Sequence, residues 1–291
     1  MKKLLLFLFI LTLAAYWGYS RGGEYGRGHN PGASPSVEEK NSFPTADNLL
    51  DKITDLAGSF TARSADSSTK EKSDFIRESK EFLQSAKESF RQIFHFKEAL
   101  ESKIDRDNFV PAKEIPDLMK KAIVATEDRR FYDHGAVDLV GVARALVTNY
   151  IAGKTVEGGS TIAQQTVKNI FLSDERTLSR KIEELALAVQ LEKYYSKDQI
   201  LELYLNTIYF GHGAYGIKEA CDTYFGKEAK DLDLSQCAML AGLPQAPNAY
   251  DPLNHPEEGA QRMTVVLTLM AREGYITPEE AATAALDLWL K

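Results

Sequence analysis

Residues 158–169 read GGSTIAQQTVKN and predict a helix that begins directly after two glycines. Thr161 and Gln164 have the T-x-x-Q spacing of a capping box, in which side chains satisfy the first backbone N–H groups of a helix. Backbone N–H groups at a helix start bind anions, and glycines leave the approach open. Gln164 and Lys168 lie on one face at i, i+4 spacing. The run therefore predicts a helix start that fits a phosphate, with a structural helix and a solvated Lys168 as the alternative.

Helix signals continue on both sides of this run, and alternating strand patterns are scarce from residue 109 onward. Pro116 marks the start of one helix, and Ser196 with Gln199 forms a second capping-box pattern. Apolar residues recur at helical spacing in two helices. In the helix that starts at Pro116 they are Leu118, Met119, Ala122 and Ile123. In a later helix they are Leu178, Ile182, Leu185 and Val189, and we call these last four residues the apolar stripe. Residues 109–288 are therefore predicted to be mainly α-helical.

Glu127 opens the run EDRRFYDH at residues 127–134, near the end of the helix that starts at Pro116. On a helix, Ile123 and Phe131 are its apolar i−4 and i+4 neighbours. Apolar surroundings and a helix C-terminus both disfavour a carboxylate charge, so the pKa of Glu127 is predicted to be raised. A raised pKa suits a general base that works near neutral pH. The alternative is an exposed glutamate in a charged turn.

Arg180, Lys181 and Glu184 form a second charged pattern. Their i, i+3 and i, i+4 spacings place them on one helix face, opposite the apolar stripe. One interpretation is a pair of surface ion pairs, which contribute roughly a few tenths of a kcal/mol. The functional interpretation is a basic cluster that holds a pyrophosphate, with Glu184 orienting the cations or binding a metal ion.

Residues 203–216 read LYLNTIYFGHGAYG, so a helix that contains Asn206 ends in a loop rich in glycine and aromatic residues. Loops of this kind often shape a groove for sugars, and a tight buried turn between helices is the alternative. His212 has no serine or aspartate partner in a nucleophile pattern, so it is not predicted to be catalytic.

The first 20 residues read MKKLLLFLFILTLAAYWGYS, with two lysines before an apolar run and aromatic residues at its end. This pattern predicts an uncleaved transmembrane anchor, with Lys2 and Lys3 inside and the rest of the chain exported. A cleaved signal peptide is the alternative. Residues 21–48 are rich in Gly, Pro, Ser and Asn and are predicted to be a flexible linker. Residues 46–60 and 73–103 show helical periodicity, and residues 49–108 are predicted to be a helical stalk.

Composition excludes several classes of protein. The net charge of −7 provides no global basic field, so nucleic acid is not expected as a partner. Cys221 and Cys237 lack CxxC or histidine-paired spacing, which argues against a structural zinc site and a disulfide scaffold. They are predicted to be two buried thiols, with a disulfide between them as the alternative in an extracytoplasmic domain.

In this order and spacing, the motifs resemble those of the family 51 glycosyltransferases, which are the transglycosylase modules of penicillin-binding proteins and the monofunctional peptidoglycan glycosyltransferases. The family patterns E-D-x-x-F-x-x-H, GGST-x-x-QQ-x-x-KN, R-K-x-x-E and Y-L-N-x-I-Y-F-G are matched at residues 127–134, 158–169, 180–184 and 204–211. The resemblance continues through residues 240–252 and 262–270 and covers residues 110–288. The family's H-x-G-x-D has Ala136 in place of the glycine, and we expect a small backbone change there rather than a loss of activity.

The resemblance implies a mainly α protein with a lysozyme-like helical lobe and a smaller membrane-contacting lobe, preceded by an N-terminal transmembrane helix. Residues 139–151 are apolar apart from Arg144 and a few other positions. They would belong to the smaller lobe and dip into the bilayer, with a plain core helix as the alternative. Residues 109–288 would form the transglycosylase domain, on the extracytoplasmic side of the cytoplasmic membrane.

The activity implied by the resemblance is polymerisation of lipid II into β-1,4-linked glycan strands, with inversion and release of undecaprenyl pyrophosphate. Glu127 would be the general base, Glu184 would support the basic cluster or help to bind a divalent cation, and Asp128 would orient the first motif. The implied substrate-binding residues are Ser160, Thr161, Gln164, Gln165, Lys168, Arg180, Lys181 and Asn206. The metal ligands are unknown, and a divalent cation, Mg or Mn, is the only cofactor considered.

The implied partners are lipid II, the growing glycan on undecaprenyl pyrophosphate, the membrane and other cell-wall synthesis proteins. The S-x-x-K and K-T-G motifs of a transpeptidase do not appear in the right context up to Lys291. We therefore expect no serine acyl-transfer site, and we favour a monofunctional enzyme over a piece of a larger one. Two rival functions are a lytic transglycosylase or lysozyme-type hydrolase, which would not need the basic cluster, and a scaffold, which would not need the two glutamates.

Overall fold

The fold is described here from a computed structural model, which covers residues 77, 88–89, 91–153, 158–172 and 178–286. The anchor predicted at residues 1–20, the linker predicted at 21–48 and most of the predicted stalk lie outside the described residues. No helix within the described ranges is both long enough and apolar enough to cross a membrane.

The chain folds into α-helices joined by short loops, and no β-strand occurs in the part of the chain that the structure describes. The helices are α1 (Phe96–Glu101), α2 (Asp117–Glu127), α3 (Leu139–Ala152), α4 (Ile162–Phe171), α5 (Leu178–Tyr194), α6 (Lys197–Thr207), α7 (Gly216–Phe225), α8 (Leu234–Gly242), α9 (Pro256–Arg272) and α10 (Pro278–Ala285), with short 3-10 helices at Ala112–Glu114 and Ala229–Asp231. Tyr209 and Tyr215 form an isolated antiparallel bridge. The prediction of a mainly α-helical protein is confirmed for these residues.

Local sequence signals account for several helix starts. Ser196 and Gln199 form the predicted capping box at α6, since each side chain accepts from the other residue's backbone N–H. At α4, Thr161 Oγ1 accepts from the backbone N–H of Gln164 over 3.2 Å, as predicted. The reciprocal half of that capping box is not formed, because Gln164 Oε1 accepts from Lys181 Nζ and Gln164 Nε2 donates to the carbonyl of Ala136.

The core is built around α2, which packs against α8 and α9, while α4 packs against α5 and α6. Of the predicted apolar face of α2, Met119, Ala122 and Ile123 are fully buried and Leu118 is half-buried. Burial of such side chains contributes about 25 cal/mol per Å² of apolar surface removed from water. Glu127 is the last residue of α2, so this packing determines where its carboxylate lies.

Residues near the end of the predicted stalk belong to the same core. Ile93, Phe96 and Leu100 are buried. The ring of Phe96 contacts those of Phe171 and Tyr194, with centroids 5.6 and 6.4 Å apart. Helix α1 is thereby packed against α5.

The inward face of α5 differs from the predicted one. Leu185 and Val189 of the apolar stripe are 39% and 41% exposed, whereas Glu184 and Leu187 are 3% and 0% exposed. Apolar residues occur on more than one side of α5, so periodicity alone allows two inward faces. The packed face carries Glu184, whose buried carboxylate is stabilised by Lys181. The prediction that Leu185 and Val189 belong to the packed face is therefore wrong, while Ile182 of the same stripe is half-buried.

Helix α3 exposes most of its apolar side chains. Its buried residues are Gly141 and Ala145. Its large apolar side chains that are more than half exposed are Leu139, Val140, Leu146, Val147, Tyr150 and Ile151. This exposure contradicts the alternative of a plain core helix.

Candidate active site

Glu127 is half-buried at the end of α2, and burial raises the pKa of its carboxyl above the ordinary value. Gln165 Nε2 donates a hydrogen bond to Glu127 Oε2 over 3.0 Å. That hydrogen bond and the charge of Arg262 lower the pKa, while the charge of Asp128 raises it. The predicted direction of the shift is confirmed, and burial is its main cause.

The predicted i+4 spacing does not hold on the C-terminal side of Glu127. Helix α2 ends at Glu127, so Phe131 lies in the turn that follows rather than one helical turn further on. Ile123 and Phe131 are both fully buried. Glu127 itself is half-buried, which contradicts the alternative of an exposed glutamate in a charged turn.

Asp128 connects the first motif to the start of α4. Its Oδ1 lies 2.7 Å from Nε2 of His134, and its Oδ2 accepts from the backbone N–H of Ile162 over 3.1 Å. Asp128 is 9% exposed, and both of its oxygens have a protein partner. This geometry agrees with an orienting position for Asp128.

The carbonyl of Ala136 makes a second connection between the same two segments. It accepts from Thr161 Oγ1 and from Gln164 Nε2, each over 3.0 Å. Thr161 is 2% exposed and Gln164 is 5% exposed. The position where the family pattern has glycine therefore anchors α4 through its backbone.

A basic cluster forms where α5 meets the start of α4. Lys181 Nζ donates to Ser160 Oγ over 3.2 Å and to Gln164 Oε1 over 3.4 Å, and it also forms an ion pair with Glu184 Oε1. Arg180 Nη1 lies 4.0 Å from Glu184 Oε2. Burial of Glu184 between two cations is favourable because each cation offsets part of the desolvation cost.

Two consecutive glutamines of α4 link this cluster to Glu127. Gln164 accepts from Lys181, and Gln165 donates to Glu127. Lys168 lies one turn further along α4 and is half-buried. The side chain of Lys168 makes no hydrogen bond or ion pair with the described part of the chain, while its backbone carbonyl accepts from Leu172 at the end of α4. The first turn of α4 thus places a carboxylate site and a cationic site side by side.

Asn206 lies at the end of α6, where its side-chain amide holds another segment of the chain. Its Oδ1 accepts from the backbone N–H of Val110 over 2.7 Å, and its Nδ2 donates to the carbonyls of Val110 and Glu202 over 3.0 and 2.8 Å. The structure therefore brings Asn206 to residue 110 rather than to the basic cluster.

Asp128, His134 and Asp138 form the one group of three close metal-ligand side chains in the described residues. Their ligand atoms already have protein partners, because His134 contacts Asp128 and Asp138 lies 3.5 Å from Arg130 Nη1. A cation would have to displace these partners, so the group fits a hydrogen-bond network better than a metal site. Glu184, the residue expected to help bind a cation, does not belong to this group.

Two interactions of residues outside the four motifs and the loop were not predicted from the sequence. The positive charge of Arg262, on α9, lowers the pKa of Glu127. His212 Nδ1 lies 3.1 Å from Oδ2 of Asp251, which is 4% exposed. Arg262 lies in the matched run 262–270 and Asp251 in the matched run 240–252. No local pattern pointed to either contact.

Comparison with known proteins places this geometry in a family. The protein-family model described as "Transglycosylase" matches residues 95–271, which is more than half of the chain. The chain belongs to the transglycosylase family. The transglycosylase match includes Glu127, Asp128, both glutamines and the whole basic cluster.

The transglycosylase chain also resembles individual curated proteins. Penicillin-binding protein 1A of Aquifex aeolicus is 50% identical over 177 residues, which is 61% of this chain and 24% of that protein. Penicillin-binding protein 1F of Bacillus subtilis is 49% identical over 175 residues, which is 60% of this chain and 24% of that protein. The chain thus spans about a quarter of the length of these relatives.

A solved structure, that of penicillin-binding protein 1A from Haemophilus influenzae, matches with 27% identity and a TM-score of 0.36. The match covers 61% of this chain and 17% of that one.

Proposed function

We propose that the chain is a peptidoglycan glycosyltransferase that polymerises lipid II into β-1,4-linked glycan strands and releases undecaprenyl pyrophosphate. The observation that carries this proposal is the first turn of α4. There Gln165 holds a carboxylate with a raised pKa, and Gln164 holds the ammonium group of a basic cluster. A polymerase of this kind needs both groups next to each other: a base for the acceptor and cations for the leaving phosphates.

Glu127 is assigned as the general base. The acceptor 4-hydroxyl attacks the anomeric carbon of the donor glycan, and Glu127 takes the hydroxyl proton as the new bond forms. The bond between the anomeric carbon and the pyrophosphate oxygen breaks on the opposite face, so the α-linked donor becomes a β-linked product. Desolvation keeps the carboxylate basic enough for this transfer.

The leaving pyrophosphate needs charge stabilisation rather than a strong general acid, unlike the leaving group in glycoside hydrolysis. Lys168, Arg180 and Lys181 are assigned to bind the phosphates, with Ser160 and Gln164 as hydrogen-bonding neighbours. Thr161 shapes the helix start where these groups meet. A Mg or Mn ion bound with the substrate would add positive charge at the phosphates.

Glu184 and Asp128 are assigned supporting roles. Glu184 is buried and paired with Lys181, so it holds the ammonium group towards Ser160. Asp128 holds the first motif against α4 through His134 and Ile162. Asn206 is assigned a structural role, because its side chain binds the backbone of Val110. Neighbouring residues, rather than Asn206, would contact the substrate.

The membrane is the proposed location of the reaction. The exposed apolar side chains of α3 form a surface that fits the acyl region of a bilayer, because their exposure to water is unfavourable. We assign α3 to a smaller membrane-contacting lobe beside a lysozyme-like helical lobe. Residues 1–20 would anchor the chain, with the active site on the extracytoplasmic face of the cytoplasmic membrane and other cell-wall synthesis proteins nearby.

The test is polymerisation of labelled lipid II by the detergent-solubilised full chain in the presence of Mg or Mn, with products resolved on a gel. We expect long glycan strands from the wild type and at least about a hundredfold less from Glu127→Gln, since a general base contributes roughly 10²–10⁴-fold. Glu257→Gln is the matched control because Glu257 is exposed on the first turn of α9. No polymer from the wild type would contradict the proposal, and cleavage of preformed glycan would favour a hydrolase.

A further inference from the structure

A cavity of about 550 Å³ lies between α2 and α6. Ala112 and Lys113 of the first 3-10 helix, Tyr132 after α2 and Tyr275 after α9 also contribute to its wall. Within the described part of the chain, no residue assigned to catalysis or to phosphate binding lines it. Its volume falls in the range of ligand pockets, roughly 300–1,000 Å³. The cavity is therefore a candidate binding site outside the proposed active site.

The bottom of the cavity is apolar. Ile115, Val124, Leu201 and Leu205 line it and are buried, and we call these four residues the apolar floor. Val124 lies on α2, while Leu201 and Leu205 are one turn apart on α6. An apolar group placed on this floor would be removed from water, which favours its binding.

Two carboxylates at the rim of the cavity already have protein partners. Glu202 Oε1 accepts from the backbone N–H of Ala112 over 2.6 Å, and Asp198 Oδ1 accepts from the Tyr132 hydroxyl over 3.1 Å. Burial, together with the contact to Asp198, raises the pKa of Tyr132 to about 12, so this hydroxyl remains a donor. Each carboxylate has a second oxygen that can accept from an N–H group of a ligand.

The rim also carries positive charge that the described residues do not neutralise. Lys120 is paired with Asp117 over 3.1 Å. Lys121 is exposed, and its side chain makes no hydrogen bond or ion pair with the described residues. Lys113 lies 3.9 Å from Glu114, but both side chains are more than half exposed, so this pair contributes little. Lys113 and Lys121 are therefore available to an anion in the cavity.

These features together select the chemistry of a ligand. A multiply charged phosphate would be repelled by the carboxylates of Asp198 and Glu202, and a metal cation would be repelled by the ammonium groups. A wholly apolar ligand would desolvate the polar rim without giving it partners. The end of a peptide fits all parts of the cavity, because its carboxylate pairs with lysine, its N–H groups donate to carboxylate oxygens and its side chain lies on the apolar floor.

We propose that the cavity between α2 and α6 binds the C-terminal end of a peptide, with the carboxylate at Lys113 and Lys121 and an apolar side chain on the apolar floor. Such an end occurs in proteins, which are built from L residues, and in the peptides of peptidoglycan, which contain D residues. The two sources share this chemistry and differ in chirality. The proposal does not require that the chain polymerises lipid II.

The first test titrates the detergent-solubilised full chain with N-acetyl-alanyl-alanine and follows binding by saturation-transfer NMR. The peptide is supplied in its L,L and D,D forms, each as the free acid and as the C-terminal carboxamide. We expect one free acid to bind saturably and its carboxamide to bind at least about fivefold more weakly, because the charge-assisted hydrogen bonds are lost. Preference for the L,L acid identifies a protein end as the ligand, and preference for the D,D acid identifies a cell-wall peptide. Absence of saturable binding by both acids, or equal binding of acid and carboxamide, would overturn the proposal.

The second test locates the bound peptide with variants. Lys113→Met combined with Lys121→Met should weaken binding of the free acid about fivefold or more and leave the carboxamide unaffected. Ala112→Leu adds a larger side chain to the wall and should weaken both probes. Lys230→Met is the matched control, because Lys230 is an exposed lysine at the other 3-10 helix and does not line the cavity.

Unchanged binding of the free acid in the double lysine variant would show that the peptide binds elsewhere and would refute the inference. Both lysines are exposed, so thermal unfolding of this variant should match that of the wild type, and weaker binding is then not a failure to fold. Since no lipid II is present, a chain that binds the peptide but makes no polymer would confirm the site while the proposed function fails.

Discussion

Gln165 donates its side-chain amide to Oε2 of Glu127 over 3.0 Å, while its neighbour Gln164 accepts from Lys181 over 3.4 Å. Successive residues of an α-helix project about 100° apart, so one turn of α4 can serve two sites. This one turn therefore contacts Glu127 through Gln165 and, through Gln164, the ammonium group of Lys181 that pairs with Glu184.

Gln165→Ala should lower the polymerisation rate by about tenfold, because Glu127 loses the donor that orients it and that lowers its pKa. Loss of this hydrogen bond raises the pKa of Glu127 further, so the acid limb of the pH profile moves to higher pH. The measurement is initial rate against pH with labelled lipid II. Gln261→Ala is the control, since Gln261 is exposed on α9. An unchanged profile would mean that Gln165 does not set the state of Glu127.

Glu127→Gln should increase stability at pH 8 but not at pH 4. The folded pKa of Glu127 is raised, so its carboxyl costs no stability below the ordinary glutamate value of about 4.3. As the pH rises from that value to the raised folded pKa, the free energy of unfolding of the wild type falls, because the Glu127 carboxyl ionises more readily in the unfolded chain. The Glu127→Gln chain has no carboxyl at this position and does not lose this stability. Thermal unfolding of both chains checks this, and a gain of about 1 kcal/mol would raise Tm by roughly 2–4 °C. Equal Tm values at pH 8 would show that the carboxyl is not desolvated.

Lys181→Met should destabilise the fold by about 1–3 kcal/mol, because Glu184 is 4% exposed in its side chain and loses its closest cation. Lys181→Met combined with Glu184→Gln should recover most of that loss, since the buried charge of Glu184 is removed together with the ammonium group that neutralised it. Neither variant should polymerise lipid II well, because the phosphate-binding ammonium is gone. Denaturant unfolding measures the cycle, with Lys193→Met on the exposed side of α5 as the control. A double variant less stable than the sum of the singles would contradict the pairing.

Cys221 and Cys237 should resist alkylation in the folded chain. Both thiols are free and buried, and burial raises the pKa of Cys221 to about 12 and that of Cys237 well above its usual range. The thiolate is the reactive form, so iodoacetamide at pH 8 should modify neither within an hour. Both should react after unfolding in guanidinium without reductant. If neither reacts after unfolding, the two residues form the disulfide that was the alternative expectation.

Several elements follow from residues within one or two turns of each other. The box of Ser196 and Gln199, the cap at Thr161 and the start of α2 at Pro116 are formed as predicted, because helix starts depend on contacts across three or four residues. The raised pKa of Glu127 was also predicted from its apolar neighbours. In the fold, the burial that raises this pKa also involves helices distant in sequence, because α8 and α9 pack against α2.

The packed face of α5 could not be predicted in the same way. Leu185 and Val189 have the spacing of a buried stripe, but the packed side carries Glu184 and Leu187. An amphipathic pattern assumes that charges face water. Here Lys181 reaches Glu184 and the start of α4, so a charged residue can be buried.

The amino-acid sequence by itself determined the helical class, the helix starts and the identity of the groups that could do chemistry, because these depend on composition and on neighbours a few residues away. Only the tertiary structure decided which groups meet: Ser160 with Lys181, Gln165 with Glu127, and Asn206 with Val110. These contacts join residues that are 21 to 96 positions apart in the sequence. They exist because packing of α2 against α8 and α9, and of α4 against α5 and α6, buries more apolar surface than any single helix can bury alone.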